Sequence, residues 1–362
     1  MEITTQQILQ VLSTVEEPDL KKDIVTLGMV TSVDIDGKHI HLTIKLTTPA
    51  CPLQELIRSR CIETIQNSLG KDLIVTVNMI ADVTSSRKSP ILPGVKNIVA
   101  IASGKGGVGK STVTSHLALA LAKSGAKVGI IDADIFGPSI PTMFACEGAR
   151  PGVVTKNNGK HFLIPVEQYG IKLLSIGFLA SPEDAVVWRG PMASSALKQF
   201  MTDAEWGELD YLLIDLPPGT SDIHLTLVQT VSLTGAVIVT TPQKVALSDA
   251  QKAISMFKQK AINVPILGII ENMAYFTPAE LPNHRYYIFG KDGGKVLARR
   301  HEVPFLGEIP LVQSIREAGD NGKPLISSDE ITYNAFWQIA QTLAQQIAIR
   351  NAEKALEAIE KQ

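Results

Sequence analysis

Cysteine is scarce. Three residues, Cys51, Cys61 and Cys146, in a chain of 362 cannot build a disulfide framework. Reduced thiols and a cytoplasmic location are therefore the expectation. An excess of either charge is also lacking, since the formal net charge is −2. Residues 1–97 carry 10 Lys+Arg against 11 Asp+Glu, and the remainder 24 against 25. With no basic half to neutralise a phosphate backbone, nucleic acid is not an expected partner. Long apolar runs are missing, so no membrane span is expected. The opening MEITTQQILQ is acidic and polar, unlike a targeting segment. No internal repeat and no low-complexity tract interrupts the chain. What is present is an ordinary globular mix, 45% hydrophobic and 19% charged, long enough for two domains or one large one.

The chain is organised around residues 97–112, NIVAIASGKGGVGKST. A short Ile/Val run predicts a strand, four glycines a loop, and the pattern from Val113 to Ser124 a helix. Gly104, Gly109, Lys110 and Ser111 fit G-x-x-x-x-G-K-[ST] without a gap, in the context a phosphate-binding loop requires. Gly104, Gly106, Gly107 and Gly109 let the backbone approach a phosphate closely. The N–H groups of Val108 and its neighbours, through Thr112, then form an anion nest at a helix N-terminus. Lys110 reaches the β/γ oxygens and the Ser111 hydroxyl is placed to ligate Mg²⁺. Lys105 is a second lysine inside the loop; the weaker alternative for it is a solvated loop charge.

Before this loop the chain predicts a small α/β module over residues 1–84. A helical pattern covers 4–15, β-rich segments 24–35 and 39–47 flank an Asp36-Gly37 turn, Leu53–Leu69 reads as a helix, and Leu73–Ile80 as a strand. His39 and His41 alternate with Ile40 and Leu42, which predicts a solvent face rather than a metal pair. Residues 85–97, polar and rich in proline, read as a linker. From 98 to 362, short runs at Val128–Ala133, Tyr211–Leu216, Ala236–Thr241, Ile266–Glu271 and Phe305–Ile309 alternate with helical patterns at Ala246–Lys260 and Gly293–His301. The tail 334–362 is also helical. This predicts a doubly wound, mostly parallel α/β sheet.

In such sheets ligands sit at the carboxyl ends of strands. Asp132 and Asp134 end one strand and Asp215 another. Asp215 suits a water-mediated Mg²⁺ contact, and either Asp132 or Asp134 suits the attacking water; each also suits a turn or cap. FGPSIP (136–141) and LPPGTSD (216–222) read as switch loops, and WRGPM (188–192) as part of a moving surface, a dimer interface or a packed loop.

Together, SGKGGVGKST, DADIFGPSIP, WRGPM, DLPPGTSD, TTPQ, ENM and IREAGDNGKP resemble the Mrp-type iron–sulfur cluster carrier ATPases, a branch of the MinD/ParA deviant Walker A class. VTLGMV, DG and TTPACP in the first module resemble the MIP18-like domain. The resemblance implies a P-loop NTPase fold, a homodimer holding ATP and Mg²⁺ near its interface, slow ATP hydrolysis, and delivery of iron–sulfur clusters to apoproteins with help from cluster-assembly proteins. It implies that Lys105 reaches across the dimer, that Lys110 is the Walker lysine, Ser111 and Asp215 the Mg²⁺ ligands, Asp134 the water-orienting carboxylate, and Asn272 of ENM the reader of adenine. The family's common pattern follows ENM with Cys-x-x-Cys; here 271–294 reads ENMAYFTPAELPNHRYYIFGKDGG and holds no cysteine.

Cys51 and Cys61 are ten residues apart, about 15 Å along a helix, and cannot share one cluster. Cys146 reads as a core residue. Cys51, before a helix start that lowers a thiol pKa, is the expected iron–sulfur thiol. The alternatives are a cluster-free, ATP-dependent dimerisation switch of the MinD/ParA kind, or a scaffold whose first module grips clients. The tail pairs Arg350, Lys354 and Lys361 with Glu353, Glu357 and Glu360, which argues against a membrane-surface helix.

Overall fold

The computed structural model describes residues 3–86, 90–135, 137–156, 159–179, 190–278, 280–281, 283–323 and 330–360. The chain divides into two compact units, Met1–Ser86 with Ala344–Gln362, and Arg87–Leu343.

The first unit is built on three strands, Val30–Asp36, His39–Leu46 and Ile74–Ala81, in that order. The first pair is antiparallel, turning at Gly37, whose φ of +58° lies in the left-handed region. The second pair is parallel, so the chain needs a crossover, supplied by the helix Gln54–Leu69. Ile40, Leu42, Ile44 and Leu46 point inward onto Ile8, Leu12, Ile57 and Ile65. His39 and His41 lie on the exposed face, as the alternation predicts. The β-rich reading of 24–35 holds only from Val30. Ile24–Met29 forms turns, closed by Met29 N–H to Ile24 carbonyl at 2.9 Å and by Gly28 at φ +65°.

Two expected boundaries move. The first strand of the second unit starts at Val95, and Leu92 is already buried in that unit's core, so the polar segment 85–97 is not a linker over its whole length. Residues 87–89 of that segment lie outside the described residues. The tail does not belong wholly to the second unit. The helix Glu330–Glu360 ends among residues of the first unit, where Asn351 Nδ2 donates to Thr84 carbonyl at 2.9 Å and Gln345 Nε2 to Asp19 Oδ1 at 2.7 Å.

The second unit carries an eight-stranded sheet in the order Val166–Gln168, Ile171–Ser175, Val128–Asp132, Leu209–Asp215, Val95–Ala102, Gly235–Thr240, Ile266–Glu271 and Phe305–Glu308. Only the Val166–Gln168 edge runs antiparallel. The strands at 128, 235 and 266 are buried at every residue and that at 209 at all but Asp210, as runs of Val, Ile and Leu covered on both faces must be. The strand Val95–Ala102 lies between the strands at 209 and 235, where the winding reverses. Its carboxyl end is thus the crevice of a doubly wound sheet.

Candidate functional site: a phosphate-binding loop and its acidic wall

The loop leaves this crevice after Ala102 and enters the helix Lys110–Lys123. Glycine is required at two points for separate reasons. A Cβ on Gly104 would lie 2.0 Å from the Asp249 carbonyl carbon, so the loop packs directly on the backbone of the helix Lys244–Lys258. Gly109 sits at φ +81° as the residue capping the P-loop helix, and a Cβ there would meet Asn272 Nδ2 at 2.2 Å. Ser103 Oγ donates to Lys105 carbonyl at 3.0 Å, and Gly219 N–H of the LPPGTSD loop donates to Ser103 carbonyl at 2.8 Å. Val108 is buried, whereas the Lys105 side chain is exposed.

Asp215 is the anchor of the acidic wall and has no solvent exposure. Its Oδ2 accepts from Lys110 Nζ at 2.7 Å and from Ser111 Oγ at 2.5 Å, and its Oδ1 accepts from Thr114 Oγ1 at 2.6 Å. Lys110 Nζ also lies 3.7 Å from Asp134 Oδ2. The chain thus gathers Lys110, Ser111, Asp134 and Asp215 in one place. Thr114 was not singled out from sequence. Its signal was available, because a hydroxyl four residues after Lys110 lies on the same helix face.

Asp132 does a different job from Asp134. It is wholly buried, and its oxygens accept from Asp134 N–H and Ile140 N–H, each at 3.2 Å, and from Ser175 Oγ at 3.0 Å. Burial, reinforced by the neighbouring Asp215 charge, pushes its carboxyl up to about 7. In the LPPGTSD loop, Ser221 caps the helix Asp222–Thr230. His224 Nδ1 accepts from Ser221 N–H at 3.2 Å, and burial, with Lys110 nearby, lowers this imidazole to about 4.

A cavity of about 590 Å³ opens beside the start of the P-loop helix, lined by Gly109, Thr112, Met143, Asn272, Ile315 and Arg316 among others. Its size and largely apolar wall suit a nucleoside. Asn272 lines it, yet its Nδ2 donates to Val108 carbonyl at 2.8 Å, so half of this amide supports the loop backbone. Glu271, the residue before it, is buried and accepts from Gly294 N–H, the start of the helix Gly293–His301.

A Mg²⁺ ion fits the Ser111 and Asp215 pair, a hydroxyl and a carboxylate already drawn together next to the phosphate loop, both hard oxygen donors.

The cysteines correct one expectation. Cys51 is half-buried against the first unit's core, and burial, aided by Glu17 and Asp19, raises its thiol above the ordinary value. The helix start does not produce a favoured thiolate there. Cys61 is fully buried and pushed up to about 12, and Cys146 is buried and pushed up to about 11. After Asn272 the chain forms a bridge between Phe276 and Tyr286, with Arg285 over the Tyr275 ring at 4.1 Å. Among the described residues no group of three or more His, Cys, Asp or Glu is arranged to hold a metal ion. Trp188 and Arg189 of WRGPM, Phe136 and Pro324 lie outside the described residues; Gly190 opens the helix Gly190–Thr202.

Residues 94–348 match the family model of NUBPL iron-transfer P-loop NTPases, which covers the sheet, the loop and the acidic wall together. The chain belongs to that family. Residues 5–79 match a second model, described as an iron–sulfur cluster assembly protein. A Synechocystis protein named iron–sulfur cluster carrier protein is 45% identical over 96% of this chain and 99% of its own length. The Escherichia coli K12 protein of the same name is 42% identical over 93% of this chain and 90% of its own. Among solved structures, a nucleotide-binding protein from Archaeoglobus fulgidus in complex with ADP is 40% identical, with a TM-score of 0.57, covering 68% of this chain and 93% of that one. Pyrococcus furiosus cell division ATPase MinD, at 23% identity and a TM-score of 0.50 over 68% of this chain and 97% of its own, shares the fold.

Proposed function

We propose that this protein binds ATP with Mg²⁺, hydrolyses it slowly, and carries iron–sulfur clusters to apoproteins. The observation that carries the nucleotide half is Lys110, Ser111 and Asp215 meeting at the mouth of the glycine loop. Lys110 binds the β/γ oxygens and Asp134 orients the attacking water. Mg²⁺, when bound through Ser111 and Asp215, neutralises the phosphate charge that phosphoryl transfer builds up. The adenine docks in the cavity beside Asn272. Lys105, exposed at the loop, reaches the nucleotide of a second copy, which makes the working form a homodimer.

The cargo half draws on the shared name of the relatives at 45% and 42% identity. Clusters are mostly held by thiolates, and Cys51 is the least buried of the three thiols. One thiol per subunit cannot complete a four-ligand site, so the cluster is shared between modules or with client ligands and is labile. The proposed setting is the cytoplasm, with apoprotein clients and cluster-assembly proteins as partners, and without nucleic acid or membrane. No helix among the described residues is long and apolar enough to cross a membrane. The absence of cysteine from 272–294 favours a second reading, a cluster-free dimerisation switch that binds clients.

Anaerobic reconstitution with iron and sulfide separates the two. The carrier gives visible charge-transfer absorbance and iron bound per dimer, lost in Cys51→Ala. Iron-free wild type, with ATP-dependent dimerisation intact, selects the switch. Full iron binding by Cys51→Ala retains the carrier and removes that thiol.

A further inference from the structure

One carboxylate, Asp132, holds the backbone N–H groups of both Asp134 and Ile140. Asp132 Oδ1 accepts from the N–H of Asp134, and Asp132 Oδ2 accepts from the N–H of Ile140 and from Ser175 Oγ. Ile140 opens the short helix Ile140–Met143. Thr142 and Met143 of that helix line the 590 Å³ cavity together with Ile315 and Arg316 of the helix Gln313–Asp320, which packs on Met143 at Gly319. Met143 Sδ also lies 3.4 Å from Ser115 Oγ of the P-loop helix. Met143 thus connects the cavity to Asp132 through Ile140, the first residue of its own helix. Because Asp132 is wholly buried, water cannot replace either of these hydrogen bonds.

We propose that Asp132 is a positioning residue that makes hydrolysis depend on the nucleobase: a purine docked on Thr142 and Met143 sets the Ile140 end of the clamp and thereby aims Asp134. This inference rests on the ATPase reading above. It adds that the base acts on turnover and not only on affinity. An ionised carboxylate accepts at both oxygens, whereas an amide accepts at one only. Asp132→Asn therefore leaves one end of the clamp unheld.

The test compares Mg²⁺-ATP with Mg²⁺-ribose 5′-triphosphate, which keeps the sugar and the three phosphates and lacks the base. At saturation, wild type turns over ATP about 10- to 100-fold faster than the abasic compound, the scale of rate lost when a reacting group is misplaced by a fraction of an ångström to 1 Å. In Asp132→Asn and in Met143→Ala this ratio of kcat values falls towards one, and Met143→Leu restores it. Ile315→Ala, on the helix Gln313–Asp320 and outside the Met143–Ile140–Asp132 connection, raises KM for ATP while the ratio stays high. Equal kcat values for the two compounds in wild type overturn the inference and leave the ATPase reading standing. A ratio that collapses equally in Ile315→Ala also overturns it, since any damage to the cavity then suffices. If wild type hydrolyses neither compound, the ATPase reading fails and this inference with it.

Discussion

Lys110 Nζ lies 2.7 Å from Asp215 Oδ2, and both groups are buried, the carboxylate completely. The lysine proposed to bind phosphate is thus held by the carboxylate proposed for Mg²⁺. Removing either member leaves an uncompensated buried charge, which costs more than the pair itself contributes. Lys110→Ala is expected to lose ATP binding and also about 3–5 kcal/mol of stability. Combining Lys110→Met with Asp215→Leu should return much of the stability without returning ATP binding. Denaturant midpoints and calorimetric titration with ATP read the two effects separately; unchanged ATP affinity in Lys110→Ala would remove the assignment.

Lys105 is exposed, and the contact proposed for it forms only when two copies close on each other. Lys105→Ala is expected to slow hydrolysis by more than it weakens ATP binding. The measurement is kcat and ATP affinity across protein concentrations that span dimerisation. Turnover equal to wild type at the dimeric end contradicts a role across the interface.

Asp134 lies 3.7 Å from Lys110 and is half-buried. Asp134→Ala should leave ATP affinity within a few-fold and lower kcat by about 100-fold, as expected for a group that acts mainly on the transition state. An unaltered kcat moves the water-orienting role elsewhere.

Two buried imidazoles set the acid limit of the fold. His116 stacks on Phe336 at 4.2 Å, and burial lowers its pKa to about 4, as it does for His224. Between pH 6.5 and 4 the unfolded chain binds these protons and the folded chain does not. Stability is therefore held above pH 6.5 and lost as the pH falls towards 4, on the order of 3 kcal/mol for each histidine. Asp132 acts in the opposite sense, because its raised pKa lets the folded state hold a proton below about pH 7. Glu17 and Glu271, whose carboxyls burial also raises, act in the same sense as Asp132, so the histidine contribution is read by comparing wild type with His116→Gln. From pH 6.5 to 4.5 the denaturant midpoint should fall more steeply in wild type than in His116→Gln; equal pH dependence in the two contradicts this.

Iron loading through Cys51 should strengthen with pH. Its thiol sits above the ordinary value, so binding a metal has to displace a proton from it. Iron bound per dimer at fixed free iron, compared at pH 7 and pH 8.5, checks this. A yield that is flat with pH, or that falls, places the cargo on other ligands.

Much of this is legible in the sequence. The glycine spacing and the Val/Ile runs at 128, 211, 236 and 266 locate the loop and the sheet, because backbone freedom and two-sided burial leave local marks in sequence. Ile171–Ser175 left none. Its Lys172 breaks the apolar run, and only in the fold does that lysine donate to Trp206 carbonyl at 2.8 Å. Leu92 looked like part of a proline-rich linker because its burial depends on partners far along the chain. The separate roles of Asp132 and Asp134 were equally hidden. Two aspartates two residues apart read alike until Ser175 and the Ile140 N–H show which one faces inward. Cys51 misled for the same reason: a helix start is visible in sequence, while the neighbouring Glu17, Asp19 and core are not.

The contact between Gly104 and the Asp249 backbone has a consequence for how this loop tolerates change. A side chain at 104 would force the helix Lys244–Lys258 away, and one at 109 would strike Asn272. At 106, by contrast, a Cβ meets only Pro218 Cγ at 3.9 Å, and φ is not in the left-handed region. If every codon of the loop were randomised and survivors sorted for folding alone, alanine would return at 106 but not at 104 or 109. Sorting the same library for nucleotide retention would then report at 106 on the ligand itself, free of any demand from the fold.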